Sequence, residues 1–307
     1  MLIYEEVERK NHMANYLIGM HNIFDENKYN TDYKEWFYGI EFCNLNEEQI
    51  NKVLHQQERK HFRIGIHFPL IKTDYLKRDP LIFSKDAEEA KMARAAVERE
   101  MAYAERIRAR YMLIHFPKPM ILNHNLSWDK CKFHDYEHID ENEYSFEVFK
   151  QRCEEVFNWL DKLIEKYRVP IILELEVINK YLYQGNLLKD LLEEHRSIKL
   201  CLDTARLHVL DEIDNEFNLD EFILKYVPYV ELLHISNIQV GEKIENRHYP
   251  ALESLCVNEG WADIKNILKI ISQKNKELMV LFEHRSDLIS RSQLDQCYEW
   301  ITQIFDD

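Results

Sequence analysis

Hydrophobic positions along the chain fall into short apolar runs separated by longer stretches of helical periodicity. Eight runs have the length and the β-branched or aromatic content of strands: 16–21, 36–42, 63–67, 111–115, 169–177, 197–203, 230–234 and 278–283. Segments 46–60, 86–110, 146–168, 187–196, 263–273 and 291–305 read as helices between or after them. Asn46, with Gln49 three residues on, predicts an N-cap, and Asn218-Leu219-Asp220-Glu221 predicts a capping box that opens a further helix. In 146–168 the stripe expected to be buried is Phe146, Phe149, Val156, Trp159, Leu160 and Leu163. Strands alternating with helices imply a parallel sheet, and eight of them imply a closed (β/α)8 barrel. The competing architecture, a doubly wound open sheet, would call for a Gly-rich phosphate loop after the first strand, and none is there.

Two stretches stand out from this alternation. The run 169–177 begins as Val-Pro-Ile-Ile-Leu, suited to a strand buried on both faces, and then places Glu174 and Glu176 two residues apart. Residues 118–145 form the longest apparent loop and carry His124, Trp128, His134, Tyr136 and His138. A loop this long reads either as a lid over a site or as a plain surface excursion.

Composition narrows the class. With 307 residues and 46% hydrophobic content the chain can bury a large core. It shows no linker or short repeat, so a single barrel domain over 1–307 is expected, with residues 1–14 as a charged N-terminal extension. A net charge of −15 disfavours nucleic acid as a partner. Six scattered cysteines without a CxxC pair suit reduced thiols in a cytoplasmic protein. No signal peptide or bilayer-spanning apolar run is visible.

The strand ends carry the candidate chemistry. Strands three to eight finish in His67, His115, Glu174, Asp203, His234 and Glu283, and in a barrel these side chains can converge at one mouth. Carboxylates and imidazoles are ligands for Zn, Mn, Co or Fe, and the absence of thiols argues against a structural zinc site. Taken singly, each has an ordinary reading: a lone His as a core residue, Asp203 as a helix N-cap, Glu283 as the start of a loop. Glu174 resists such a reading, because an unpaired buried carboxylate costs several kcal/mol. Glu176 reads as a supporting or loop residue. The tetrapeptide Ile-His-Phe-Pro closes both strand three (66–69) and strand four (114–117).

With these endings in their order, and with Asn258-Glu259-Gly260-Trp261-Ala262-Asp263-Ile264 before the last helix–strand unit, the chain resembles the xylose isomerase-like TIM barrels. That superfamily holds sugar phosphate isomerases, epimerases and endonuclease IV. The resemblance implies a metal held by Glu174, Asp203, His234 and Glu283. From the endonuclease IV branch it implies two further ligands, His67 and His115, with Glu174 bridging. It also implies a departure: that branch uses a His and an Asp of a third-metal set where this chain has Arg206 and Asn246, although His248 fits.

The expectation is therefore a divalent-metal-dependent isomerase or epimerase of a small polyhydroxy carbonyl or sugar phosphate. It would hold one or two ions (Mn, Zn, Co or Mg), with Glu174 and Glu283 transferring the proton next to the carbonyl. Arg206 is expected to bind an anionic group of the substrate, the alternative being an ordinary pairing with nearby carboxylates, and His248 is expected to bind substrate beside it. An endonuclease IV-like phosphoesterase and a non-catalytic barrel are the other readings. The sequence leaves a homo-oligomer open.

Overall fold

The computed structural model describes residues 14–72, 79–131 and 133–306. Eight parallel strands close into a barrel: β1 (Asn15–His21), β2 (Gly39–Cys43), β3 (Arg63–His67), β4 (Tyr111–Phe116), β5 (Ile171–Leu175), β6 (Lys199–Asp203), β7 (Val230–Ile235) and β8 (Met279–Phe282). Each strand pairs with its neighbour in chain order, and β1 closes the circle against β8 from Asn15↔Met279 to Ile18↔Phe282. The fold is a (β/α)8 TIM barrel, as the strand–helix alternation predicts.

Side chains of a strand alternate between two faces, so each strand contributes to two cores. Outward residues such as Ile114, Leu173, Leu202, Leu233 and Val280 join the main core shared with the helices. Inward residues Leu17, Tyr111, Leu113, Ile172, Cys201, Leu232, Met279 and Leu281 fill the barrel itself. Gly65 makes room for one of them: a Cβ there would lie 2.5 Å from the Tyr111 ring. Tyr111 instead reaches across the interior, where its hydroxyl donates to Glu41 Oε2 at 2.7 Å.

The helices begin where local chemistry puts them. Asn46 accepts from the Gln49 backbone N–H, Asp86 from Glu88 and Glu89, Asn218 from Glu221 and Asp263 from Asn266, each satisfying N–H groups that the first helical turn leaves without a partner.

Several expectations need correction. β2 begins at Gly39 rather than at residue 36, because Trp36 and Phe37 turn back to pack on Tyr16. The helix expected over 86–110 ends at Arg106, and Arg108 adopts a positive φ. In the helix Phe146–Tyr167, Phe146 is exposed and Trp159 half-buried, while Cys153 and Phe157 take the buried positions. Residues 118–145 are not a structureless loop: Met120–Leu122 and His138–Asp140 pair as a two-stranded parallel sheet. The segment after β7 is a hairpin of Asn237–Val240 with Ile244–Tyr249 rather than a plain loop. Helices Lys180–Tyr183 and Thr204–Ile213 have no counterpart among the expected elements. Of the expected N-terminal extension, residues 1–13 lie outside the described residues. Among the described residues, no helix is long and apolar enough to cross a membrane, and no disulfide joins any of the six cysteines.

Candidate metal centre

The inward rows of the barrel change character at one level. Leu113, Ile172, Cys201, Leu232 and Leu281 belong to the apolar interior. Two residues further on, the next inward positions are His115, Glu174, Asp203, His234 and Glu283. On β3 the same step leads from Gly65 to His67. Strand register then brings the side chains together: His115 pairs with Glu174 and Asp203 with His234, while the Glu283 N–H donates to Ile235 O. All six predicted ligands thus meet at the C-terminal mouth of the barrel, where (β/α)8 proteins place their sites.

They form two groups that share Glu174. His67, His115 and Glu174 make one, and Glu174, Asp203, His234 and Glu283 the other; within each, one donor atom per residue lies within 4.8 Å of every other. Glu174 Oε2 is 3.4 Å from His67 Nε2 and 3.1 Å from His115 Nε2. His234 Nδ1 is 3.1 Å from Glu283 Oε2 and 3.7 Å from Glu174 Oε1. The far sides of the imidazoles are held as well: His67 Nδ1 lies 3.0 Å from Phe68 O, His115 Nδ1 3.0 Å from Asp79 Oδ1, and His234 Nε2 3.5 Å from Glu41 Oε2. Such outer partners orient imidazoles that ligate metals.

The donor set fits a divalent cation. Glu174 and His234 have no exposed surface, yet neither Glu174 oxygen accepts a well-formed hydrogen bond among the described residues. Buried oxygens left in this state are expected to have a further partner. Nitrogen and oxygen donors without thiolate suit Zn, Mn or Co. Burial raises the Glu174 carboxyl pKa, but Arg206, His115 and His234 outweigh it and hold the group well below the usual range. For Glu283 burial is likewise outweighed, chiefly by His234, and the pKa is lowered. Asp203 goes the other way: burial raises it, with the charges of Glu283 and Glu174 adding to the rise against Arg206. Asp203 also caps its own helix, accepting from the Arg206 N–H at 2.9 Å. It is at once the N-cap of its ordinary reading and a member of the cluster.

Arg206 enters this cluster rather than standing apart from it. Its Nε lies 3.0 Å from Glu174 Oε1 and 3.6 Å from Asp203 Oδ2, and NH1 lies 3.1 Å from Glu176 Oε1. NH2 comes within 3.3 Å of His115 Nε2. The carboxylate pairing that the sequence left as an alternative is therefore present. His248 is exposed, with Nδ1 3.3 Å from Glu283 O, and Asn246 donates to Gln239 instead of turning to the centre.

Three neighbours of the centre escape a reading of strand ends. Glu41 sits inside β2, where alternation with Gly39 already marks it as inward. Lys118 and Asp79 come from loops. The ammonium of Lys118, 1% exposed, touches Glu176 and lies 3.2 Å from Asp79 Oδ2. Burial alone would lower the Lys118 pKa, but Glu176 and Asp79 raise it. In return Glu176, although burial favours its neutral form, is pulled down to about 2 by His115, Arg206 and Lys118. The only sequence signal for Lys118 is its place between Pro117 and Pro119; Asp79 gives none.

The family model described as xylose isomerase-like TIM barrel matches residues 34–304. No curated protein matches the chain by sequence. Among solved structures, it is similar to 3-keto-D-glucoside 4-epimerase from E. coli, with 13% identity, 94% of this chain and 99% of that one covered, and a TM-score of 0.61. It is also similar to D-psicose 3-epimerase from Clostridium cellulolyticum, with 15% identity, 95% and 100% covered, and a TM-score of 0.56. An AP endonuclease of family 2 from Brucella melitensis shares 13% identity over 93% of this chain and 98% of its own, with a TM-score of 0.55. At such identities the likeness is one of fold, and it takes in relatives from both the epimerase and the endonuclease branches.

Proposed function

The chain belongs to the xylose isomerase-like TIM barrel family, and from that premise we propose that it is a divalent-metal-dependent isomerase or epimerase of a small polyhydroxy carbonyl compound. Glu174, Asp203, His234 and Glu283 would hold the ion. When bound, a divalent ion there supplies Lewis acidity, polarising a carbonyl oxygen and its neighbouring hydroxyl. Glu174 and Glu283, both held ionised, take the proton from the carbon beside the carbonyl and return it. Holding an ion would weaken both as bases, so the closed interior around Glu174 and His234 has to keep water away from the reacting carbon. Arg247 and His248, exposed at the mouth, are placed to meet an anionic group such as a phosphate or a sugar carboxylate.

The observation that carries this reading over a phosphoesterase is the position of Arg206. Hydrolases of the two-metal type clamp a phosphate between ions. Here a guanidinium occupies the space between Glu174 Oε1, Glu176 and His115 Nε2, and it cannot lose its proton to become a ligand. The chain thus places a permanent positive charge beside Glu174, at the position where the endonuclease IV branch would use a third-metal His. Its net charge of −15 also disfavours binding to duplex DNA.

Two measurements test the proposal together. Metal analysis of protein purified without chelator should give one ion per chain. Incubation of that protein in D2O with ketoses, sugar phosphates and sugar acids should place deuterium on the carbon next to a carbonyl in at least one of them. Two ions per chain, with cleavage of DNA at abasic sites and no deuterium uptake, would establish the hydrolase instead.

A further inference from the structure

A cavity of about 190 Å3 opens beside the ligand cluster, and its lining is divided in chemistry. Asp203, Glu176 and Arg206 line it on the side of the centre. Arg247 and His248 stand at its mouth, and most of the remaining wall is given by side chains of two small apolar clusters that are separate from the barrel core. In one, Val177 packs with Met120 and Leu122 against Trp128 and Phe133 of the 118–145 excursion. In the other, Ala205 packs with Ile238 and Val240 of the hairpin, against Val209 and Ile244. Excursion and hairpin are tied together by Lys130, whose ammonium donates to Gly241 O at 2.6 Å. The apolar walls are therefore a built compartment, continuous with the candidate metal centre through Asp203 and Arg206.

Such a compartment is poorly matched to a bare polyol. Each hydroxyl turned toward Val177, Val209 or Ile238 would give up its hydrogen bonds to water without replacement, which costs about 1–3 kcal/mol apiece. An apolar group gains from leaving water at the same place. The space is also of the right order, since an apolar cavity of about 150 Å3 can take up benzene. Resting on the isomerase reading above, we infer that the substrate carries an apolar substituent of about the size of one ring, an aryl or branched alkyl group. This group lies between the excursion and the hairpin while the oxygens of the carbonyl end face the metal ligands.

Two simple chelators test this without knowledge of the substrate. Acetohydroxamate and benzohydroxamate grip a divalent ion through the same pair of oxygens and differ in a methyl against a phenyl group. Calorimetry on the Mn-loaded full chain should show benzohydroxamate binding at least ten times more tightly. Val209→Asn and Ile244→Asn, at half-buried positions, should reduce that preference to less than threefold with bound metal unchanged. Equal affinities in the parent protein, or a preference that survives both substitutions, would overturn the inference and leave the metal-dependent reading standing. A chain that binds no ion at all would overturn that reading, and the inference with it.

Discussion

The Nε of Arg206 lies 3.0 Å from Oε1 of Glu174, a carboxylate with no exposed surface. The helix that carries Arg206 starts at Thr204 and is capped by Asp203, so the backbone of the arginine is fixed by a residue of the ligand cluster. A buried carboxylate that loses its partner is strongly destabilising, typically by about 3–5 kcal/mol. Arg206→Ala should therefore lower the thermal midpoint of the metal-free protein by several degrees. Added Mn should recover part of the loss, because it gives Glu174 another cation. A variant that melts like its parent without metal would show that the pair contributes nothing.

Asp203 has two tasks that substitution can separate. Asp203→Asn keeps an oxygen to accept from the Arg206 N–H but removes the charge, whereas Asp203→Ala removes both. Both variants should lose bound metal. Only the alanine variant should also lose the cap, worth about 1 kcal/mol. Metal content by elemental analysis and denaturation in urea check the two effects, and a full complement of metal in either variant would remove Asp203 from the site.

Lys118 is buried among acids, with its ammonium touching Glu176 and 3.2 Å from Asp79. Replacing it by Met fills the volume and leaves two carboxylates without their common cation. The expected cost is about 3 kcal/mol or more in denaturant unfolding. Adding Asp79→Asn to Lys118→Met should restore part of it, since the two residues act as a unit. Strictly additive losses would mean that they are independent.

Glu100 gives the chain a pH dependence far from the site. Its carboxylate accepts from the Leu70 N–H at 2.7 Å and the Ile71 N–H at 3.2 Å, which favours the charged form, but burial wins and raises its pKa to about 7. Between the unfolded value of 4.5 and 7 the folded chain binds more protons than the unfolded one. This contribution to stability is fully present below 4.5 and is lost as pH rises through 7. Glu100→Gln should flatten that part of the stability profile. Parallel profiles for variant and parent across this window would show that Glu100 titrates normally.

What the sequence determined by itself was set by local rules. A strand reads out every second residue to one side, so an apolar inward row followed by His115, Glu174, Asp203, His234 or Glu283 can be recognised within a single segment. The barrel followed from eight such segments alternating with helices, and Asn46 and Asn218 could be assigned as caps because a cap bonds only to residues two or three positions on. Glu41 was within reach of the same alternation. Other features depended on where distant parts of the chain meet. The partners of Arg206 lie on β5, just beyond its end and on β4, and Lys118 finds Asp79 and Glu176 from loops far apart in the sequence. Spacing along one segment carries no information about such encounters, because strand register and loop path, not local periodicity, fix which charges come within 4 Å. The two apolar clusters beside the centre likewise join segments distant in sequence, the excursion with Val177 in one and the hairpin with Ala205 and Val209 in the other.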